Sequence, residues 1–85
     1  MNILVTGGLG FIGSHTIVSL LDEKNNLNNN VIIVDNLSNS SINILSNIKS
    51  LVKNPKSIIF IEGDINDKVL MKSVFMKYKI DINLI

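Results

Sequence analysis

The stretch Thr6-Gly7-Gly8-Leu9-Gly10-Phe11-Ile12-Gly13 decides how the rest of the chain is read. It holds two overlapping glycine patterns, Gly7-x-x-Gly10-x-x-Gly13 and Gly8-x-Gly10-x-x-Gly13. Glycine spacing alone is weak, so the flanks matter. Before it, Asn2 to Val5 is a short apolar run that suits a buried parallel strand. After it, from Phe11 to about Lys24, Ile12, Thr16, Ile17, Leu20 and Leu21 recur at three- and four-residue spacing and give a helix one apolar face. A glycine turn between a strand and a helix has a physical use. Gly7 permits the tight turn, Gly10 lets the backbone approach a pyrophosphate, and Gly13 lets the helix pack close to the sheet. The N–H groups near Phe11 and Ile12 then face the diphosphate, helped by the helix dipole. The plainer alternative is a strand-to-helix turn that only needs three flexible residues. A P-loop fits less well, because no Gly-Lys-Ser/Thr follows.

Working outward, the Asn-rich segment Asn25 to Asn30 stops the first helix. Val31 to Val34 is four β-branched residues in a row, as expected of a central strand covered on both faces. Asn36 to Ser41 is a loop of turn-forming residues, and Ile44, Leu45, Ile48, Leu51 and Val52 mark a second helix that ends before Asn54-Pro55. Ser57 to Ile61 reads as a third strand, followed by a turn at Gly63, Asp64, Asn66 and Asp67 whose end can cap the next helix. Leu70, Met71, Val74, Phe75 and Tyr78 form the stripe of that helix, and Ile82 to Ile85 reads as a fourth strand in which the chain stops. The order βαβαβαβ requires parallel strands joined by right-handed crossovers. The expected architecture is an α/β fold, a truncated Rossmann fold of about four parallel strands in order 3-2-1-4 with helices on both faces.

Asp35 lies 22 residues after Gly13, directly behind Val31–Val34. A carboxylate at that place accepts hydrogen bonds from the adenosine ribose hydroxyls of a dinucleotide. It repels a 2′-phosphate, and the chain has no arginine to receive one, so the expected cofactor is NAD and not NADP. The bland alternative is a solvated loop aspartate. The glycine turn and Asp35 together are far more specific than either alone. Asp64, at the end of the third strand, has two readings: an acceptor for the adenine amine, or a turn and capping residue.

Composition narrows the class. The chain has 85 residues, 46% hydrophobic and 18% charged, with a net charge of +1. These values suit one small globular domain and give no argument for nucleic acid or an anionic membrane. Cysteine is absent and His15 is the only histidine, which argues against disulfides and a protein-built zinc site. Residues 1 to 21 carry no charged side chain, yet they lack a basic leader and are broken by glycines, serines and threonines. The expected setting is cytoplasmic.

On LVTGGLGFIGSHT (4–16), VDNLSNSS (34–41) and EGDI (62–65), the chain resembles the extended short-chain dehydrogenase/reductase superfamily and, within it, the UDP-glucose 4-epimerase family. The glycine-rich string places the superfamily, and VDNLSNSS resembles the epimerases in particular. The resemblance implies that Phe11 and Ile12 lie against the pyrophosphate. It implies that Asp35, Asn36, Leu37, Ser38, Asn39 and Ser40 wrap the adenosine ribose, and that Asp64 and Ile65 flank the adenine. It implies a homodimeric parent enzyme in which tightly held NAD transiently oxidises C4 of a UDP-sugar, with a tyrosine of a Tyr-x-x-x-Lys motif removing the hydroxyl proton. No such motif is present here, since the residue four after Tyr78 is Ile82. Tyr78 reads as a core residue at a helix end, and no catalytic residue is expected among these 85. The readings are therefore the NAD-binding front of an epimerase, a fragment of another sugar-nucleotide enzyme such as a 4,6-dehydratase, or a non-catalytic nucleotide-binding remnant. A half-sheet leaves apolar surface uncovered, and small domains are marginal. The isolated 85 residues are thus expected to be oligomeric or aggregation-prone in size-exclusion chromatography, and a sharp cooperative melt from a monomer would contradict that expectation.

Overall fold

The computed structural model describes residues 1–7, 9–22, 29–38 and 42–84. The two apolar runs that flank the glycine turn form the centre of its sheet. Strand β1 (Asn2–Thr6) lies parallel to β2 (Asn30–Asp35), with Asn2 opposite Asn30 and Thr6 opposite Val34. Strand β3 (Ile58–Glu62) pairs with β2, and β4 (Ile82–Leu84) pairs with β1, both in parallel. The sheet order is β3-β2-β1-β4, as expected of a truncated Rossmann fold. The connections run through helices α1 (Phe11–Leu20), α2 (Ile42–Leu51) and α3 (Lys68–Tyr78).

Successive strand residues point to opposite faces, so each central strand feeds two cores. On one face Ile3, Val5, Val31 and Ile33 pack with Ile17 of α1, Leu21 just beyond it, and Leu45 and Ile48 of α2. On the other, Leu4, Ile32 and Val34 pack with Val74 of α3, flanked by Leu70, Met71 and Tyr78. This is why β1 and β2 are apolar without interruption, and it puts helices on both faces. At 3.6 residues per turn, Leu51 and Phe75 fall at the edges of their stripes, roughly 60–70° from the centres. They are accordingly 70% and 39% exposed, although periodicity alone groups them with the buried residues.

Several boundaries differ from the sequence reading. Helix α1 ends at Leu20, short of Lys24, and the Leu21 N–H closes the last turn on the Ile17 carbonyl. Asp22 follows, and a carboxylate there opposes the dipole at a helix C-terminus. Helix α2 ends at Leu51, one residue before Val52. Pro55 opens a single 3-10 turn (Pro55–Ser57), where its fixed φ and missing N–H cost nothing. Ser57 is consequently outside β3, which extends to Glu62. The expected cap of α3 is present: the Asp67 carboxylate accepts from the Leu70 N–H at 3.1 Å. The helix closes on Lys79 in the left-handed region, at φ 49°. Ile85, the expected last residue of β4, lies outside the described residues.

At the amino-terminal end of the sheet, polar groups set the position of β4. The Asn2 N–H donates to Asp81 Oδ2 at 2.7 Å, and the Asp81 N–H donates to the Asn2 carbonyl at 2.8 Å. The Asn2 side chain donates to the Tyr78 carbonyl and accepts from Asn30 Nδ2. Among the described residues no helix is long and apolar enough to cross a membrane.

Two stability outcomes follow from this packing. Ile17 is fully buried between α1 and the sheet, so Ile17→Ala should cost about 2–5 kcal/mol in a chemical denaturation series, whereas Val69→Ala, at an 81% exposed position, should stay within about 0.5 kcal/mol. Lys79 bears the left-handed cost that glycine avoids, so Lys79→Gly should stabilise by about 1 kcal/mol, read as a rise in Tm of roughly 4–8 °C.

Candidate functional site

Strands β1, β2 and β3 all end on the same side of the sheet, because parallel strands share one polarity. Their exits are joined by two backbone bonds beyond the strands. The Gly7 N–H donates to the Val34 carbonyl at 2.9 Å, and the Gly63 N–H donates to the Asp35 carbonyl at 3.1 Å. Around these exits lies a small pocket of about 110 Å³, lined by Gly7, Val34, Asp35, Asn36, Gly63 and Ile65. Ligands of open α/β sheets bind outside the carboxyl ends of the strands, where the strand order reverses. Here the chain winds outward from β1 to β3 and then returns to β4 on the other side of β1. Two larger hollows, about 460 and 440 Å³, lie between α1 and α2. They contain neither a strand exit nor a glycine turn, so size is a poor guide in this fold.

The turn is built as its glycines suggest. Gly7 sits at φ +64°, a conformation that side-chain-bearing residues rarely adopt. The Gly10 N–H closes the turn on the Gly7 carbonyl at 3.0 Å, and a Cβ on Gly10 would lie only 3.3 Å from that same oxygen. Gly10 caps α1 with extended backbone and no side-chain acceptor, and the first turn of the helix holds no acidic residue. The start of α1 therefore presents its backbone N–H groups and the positive end of its dipole. Phe11 and Ile12 open the helix, and their side chains lie outside the described residues, as does Gly8. Gly13 is buried in α1.

Asp35 ends β2 with a buried side chain, 7% exposed. Its Oδ2 accepts from the Leu9 N–H at 3.0 Å, inside the glycine turn. Its Oδ1 accepts from the Leu37 N–H at 2.8 Å. Leu37 stands at φ +62°, unusual for a leucine, with its side chain against the α1–α2 core. The Asn36 side chain repeats the pattern one residue on, accepting from the Ser38 N–H at 3.0 Å. Asn39 and Ser40 lie outside the described residues.

Asp64 is exposed and accepts from the Asn66 N–H at 2.8 Å, so it is engaged in its own turn. Ile65 beside it reaches the pocket and is 52% exposed. Two lining residues, Val34 and Gly63, read in the sequence only as parts of a strand and a turn and not as site residues. The signal for Gly63 is its place directly behind a strand, equivalent to that of Gly7 behind β1. Tyr78 lies at the other end of the sheet, half-buried in the second core, with its carbonyl held by Asn2. The described residues form no cluster of three or more metal-ligating side chains. What converges on the pocket is a backbone cradle and one carboxylate, an arrangement that can hold a phosphorylated, hydroxyl-rich ligand.

This geometry has close counterparts. A family model described as GDP-mannose 4,6 dehydratase matches residues 4–84. UDP-glucose 4-epimerase of Neisseria meningitidis serogroup A is 50% identical over 80 residues, which cover 94% of this chain and 22% of that protein. The crystal structure of UDP-glucose 4-epimerase from Bifidobacterium longum, in complex with NAD+ and UDP, superposes with a TM-score of 0.85 at 37% identity, over 98% of this chain and 23% of that one. A dTDP-glucose 4,6-dehydratase from Bacillus anthracis, in complex with NAD, gives a TM-score of 0.81 at 30% identity, over 100% of this chain and 26% of that one. The chain thus spans about a fifth of the length of the curated relatives it matches. With a family model running through the strand exits and the glycine turn, the chain belongs to the GDP-mannose 4,6-dehydratase family.

Proposed function

We propose that these 85 residues are the NAD-binding portion of a UDP-glucose 4-epimerase, with the catalytic and UDP-sugar-binding regions supplied by sequence outside them. The observation that carries the reading is the meeting of the Gly7–Gly13 turn with Asp35 at one pocket, in a chain without arginine. The residues fit an adenine dinucleotide. Gly7 and Gly10, with the backbone of Phe11, Ile12 and Gly13, would hold the pyrophosphate at the start of α1. Asp35 would accept from the ribose hydroxyls, with Asn36, Leu37, Ser38, Asn39 and Ser40 around the ribose. Asp64 and Ile65 would flank the adenine. Bound there, NAD supplies a reversible hydride acceptor. The residues of this chain bind and orient it, and the general base must come from elsewhere, because hydride transfer needs such a group within hydrogen-bond reach of the substrate.

The epimerase assignment is supported by the 50% identity to an epimerase and by the Asp35–Ser40 loop. A cytoplasmic homodimer, which the family resemblance implies, belongs to the same proposal. The dehydratase neighbour favours a second reading in which the parent enzyme removes water from its sugar nucleotide. Isothermal titration of the intact protein should show binding of NAD and of ADP-ribose, with NADP weaker by about a hundredfold through repulsion at Asp35. A folded protein that binds neither NAD nor ADP-ribose would overturn the cofactor reading. Incubation of the parent enzyme, which adds the catalytic regions to these 85 residues, with UDP-glucose should yield UDP-galactose at unchanged mass, and a product lighter by one water would select the dehydratase instead.

A further inference from the structure

We propose that Asp35 is also a positioning residue that ties the glycine turn to the loop after β2 before any cofactor arrives, so that the pyrophosphate grip and the ribose grip form one rigid unit. The inference rests on bonds between residues far apart in sequence. Leu9 lies 26 residues before Asp35, and its N–H is bound by Oδ2 in a buried setting. The Leu9 side chain is fully buried in the core shared by α1 and α2. Leu9 is therefore fixed from two directions, by the core through its side chain and by the carboxylate through its backbone. The other oxygen holds the Leu37 N–H, and Leu37 adopts a left-handed conformation that is unfavourable for a residue other than glycine. A charge-assisted bond to the carboxylate is of the right strength to offset that cost. The Leu37 side chain also reaches the core, so both ends of the tie are anchored in the same hydrophobic cluster.

This role differs from contact with the ribose. A carboxylate oxygen accepts more than one hydrogen bond, so holding backbone N–H groups and receiving hydroxyls are compatible. The tie needs the short aspartate side chain. A glutamate is a normal ribose acceptor in dinucleotide folds, but its extra methylene displaces the carboxylate from Leu9 and Leu37. Asp35→Glu therefore separates the two roles, and Asp35→Asn weakens both.

The test is amide hydrogen exchange by NMR on the intact protein without cofactor, together with titration of inorganic pyrophosphate and ADP-ribose. In the wild type the Leu9 and Leu37 amides should be protected and should open together, since one carboxylate holds both. In Asp35→Glu both should exchange faster by about tenfold or more, while Ile32 and Ile33 in β2 keep their protection. Pyrophosphate, followed by the Phe11 and Ile12 amide shifts, should bind several-fold more weakly to Asp35→Glu although residue 35 does not touch it. Unchanged exchange at Leu9 and Leu37 in the variant overturns the tie. Unchanged pyrophosphate affinity with faster exchange overturns the coupling of the two grips. An unprotected Leu37 amide in the wild type overturns the proposal even if no variant folds. The affinity arm depends on the cofactor reading above, and the exchange arm does not. A protein that binds no nucleotide but shows the paired protection would refute that reading and leave the tie standing.

Discussion

Parallel pairing of β1 with β2 is the constraint on which everything else in this chain depends. It sets Thr6 opposite Val34, and one residue later the Gly7 N–H is bonded to the Val34 carbonyl. The glycine turn must then leave the sheet beside Asp35. A slip of β2 by one residue against β1 would turn Ile32 and Val34 toward the α1–α2 side while Leu4 stayed in place, and would separate Leu9 from the carboxylate. The hydrophobic register and the chemistry of the site are therefore fixed by the same ladder of bonds.

The parts of the fold that rest on local pattern are legible in the sequence. The β-branched run at Val31–Val34 admits little but a central strand. Glycines at 7, 10 and 13 behind a strand admit little but a tight turn into a helix. Asp67 before an apolar-periodic segment announces a cap. Parallel pairing and right-handed crossovers follow once the elements alternate, and the order 3-2-1-4 follows from reading the glycine turn as that of a Rossmann fold. In the same way, the pocket's acidic residue is evident from its place behind β2.

What is not legible depends on contacts that only the folded chain creates. Nothing near Leu9 indicates that its N–H will meet a carboxylate 26 residues away. Leu37 and Lys79 are not residues that mark left-handed turns, and both adopt that geometry because surrounding bonds demand it. Pro55 reads as the end of α2, whereas it begins the 3-10 turn before β3, since periodicity carries no information about irregular segments. Leu51 and Phe75 share the spacing of buried residues but lie on the shoulders of their helices. Asp64 is ambiguous in the sequence because a turn and a ligand both select a carboxylate at that position.

The polar clamp around Asn2 has a counterpart at the far end of the molecule. Asn2, Asn30, Asp81 and the Tyr78 carbonyl pin three strands and α3 together where the strands begin. Where the strands finish, the exits are joined by the two bonds from Gly7 and Gly63 and by the Asp35 carboxylate. The sheet is therefore tied at both ends before any ligand arrives, by side-chain amides and a carboxylate where the strands begin and by backbone bonds and a carboxylate where they finish. A molecule lying across the exits of β1, β2 and β3 meets a surface already in place, and by mass action any ligand that prefers the folded form raises the stability of the whole sheet.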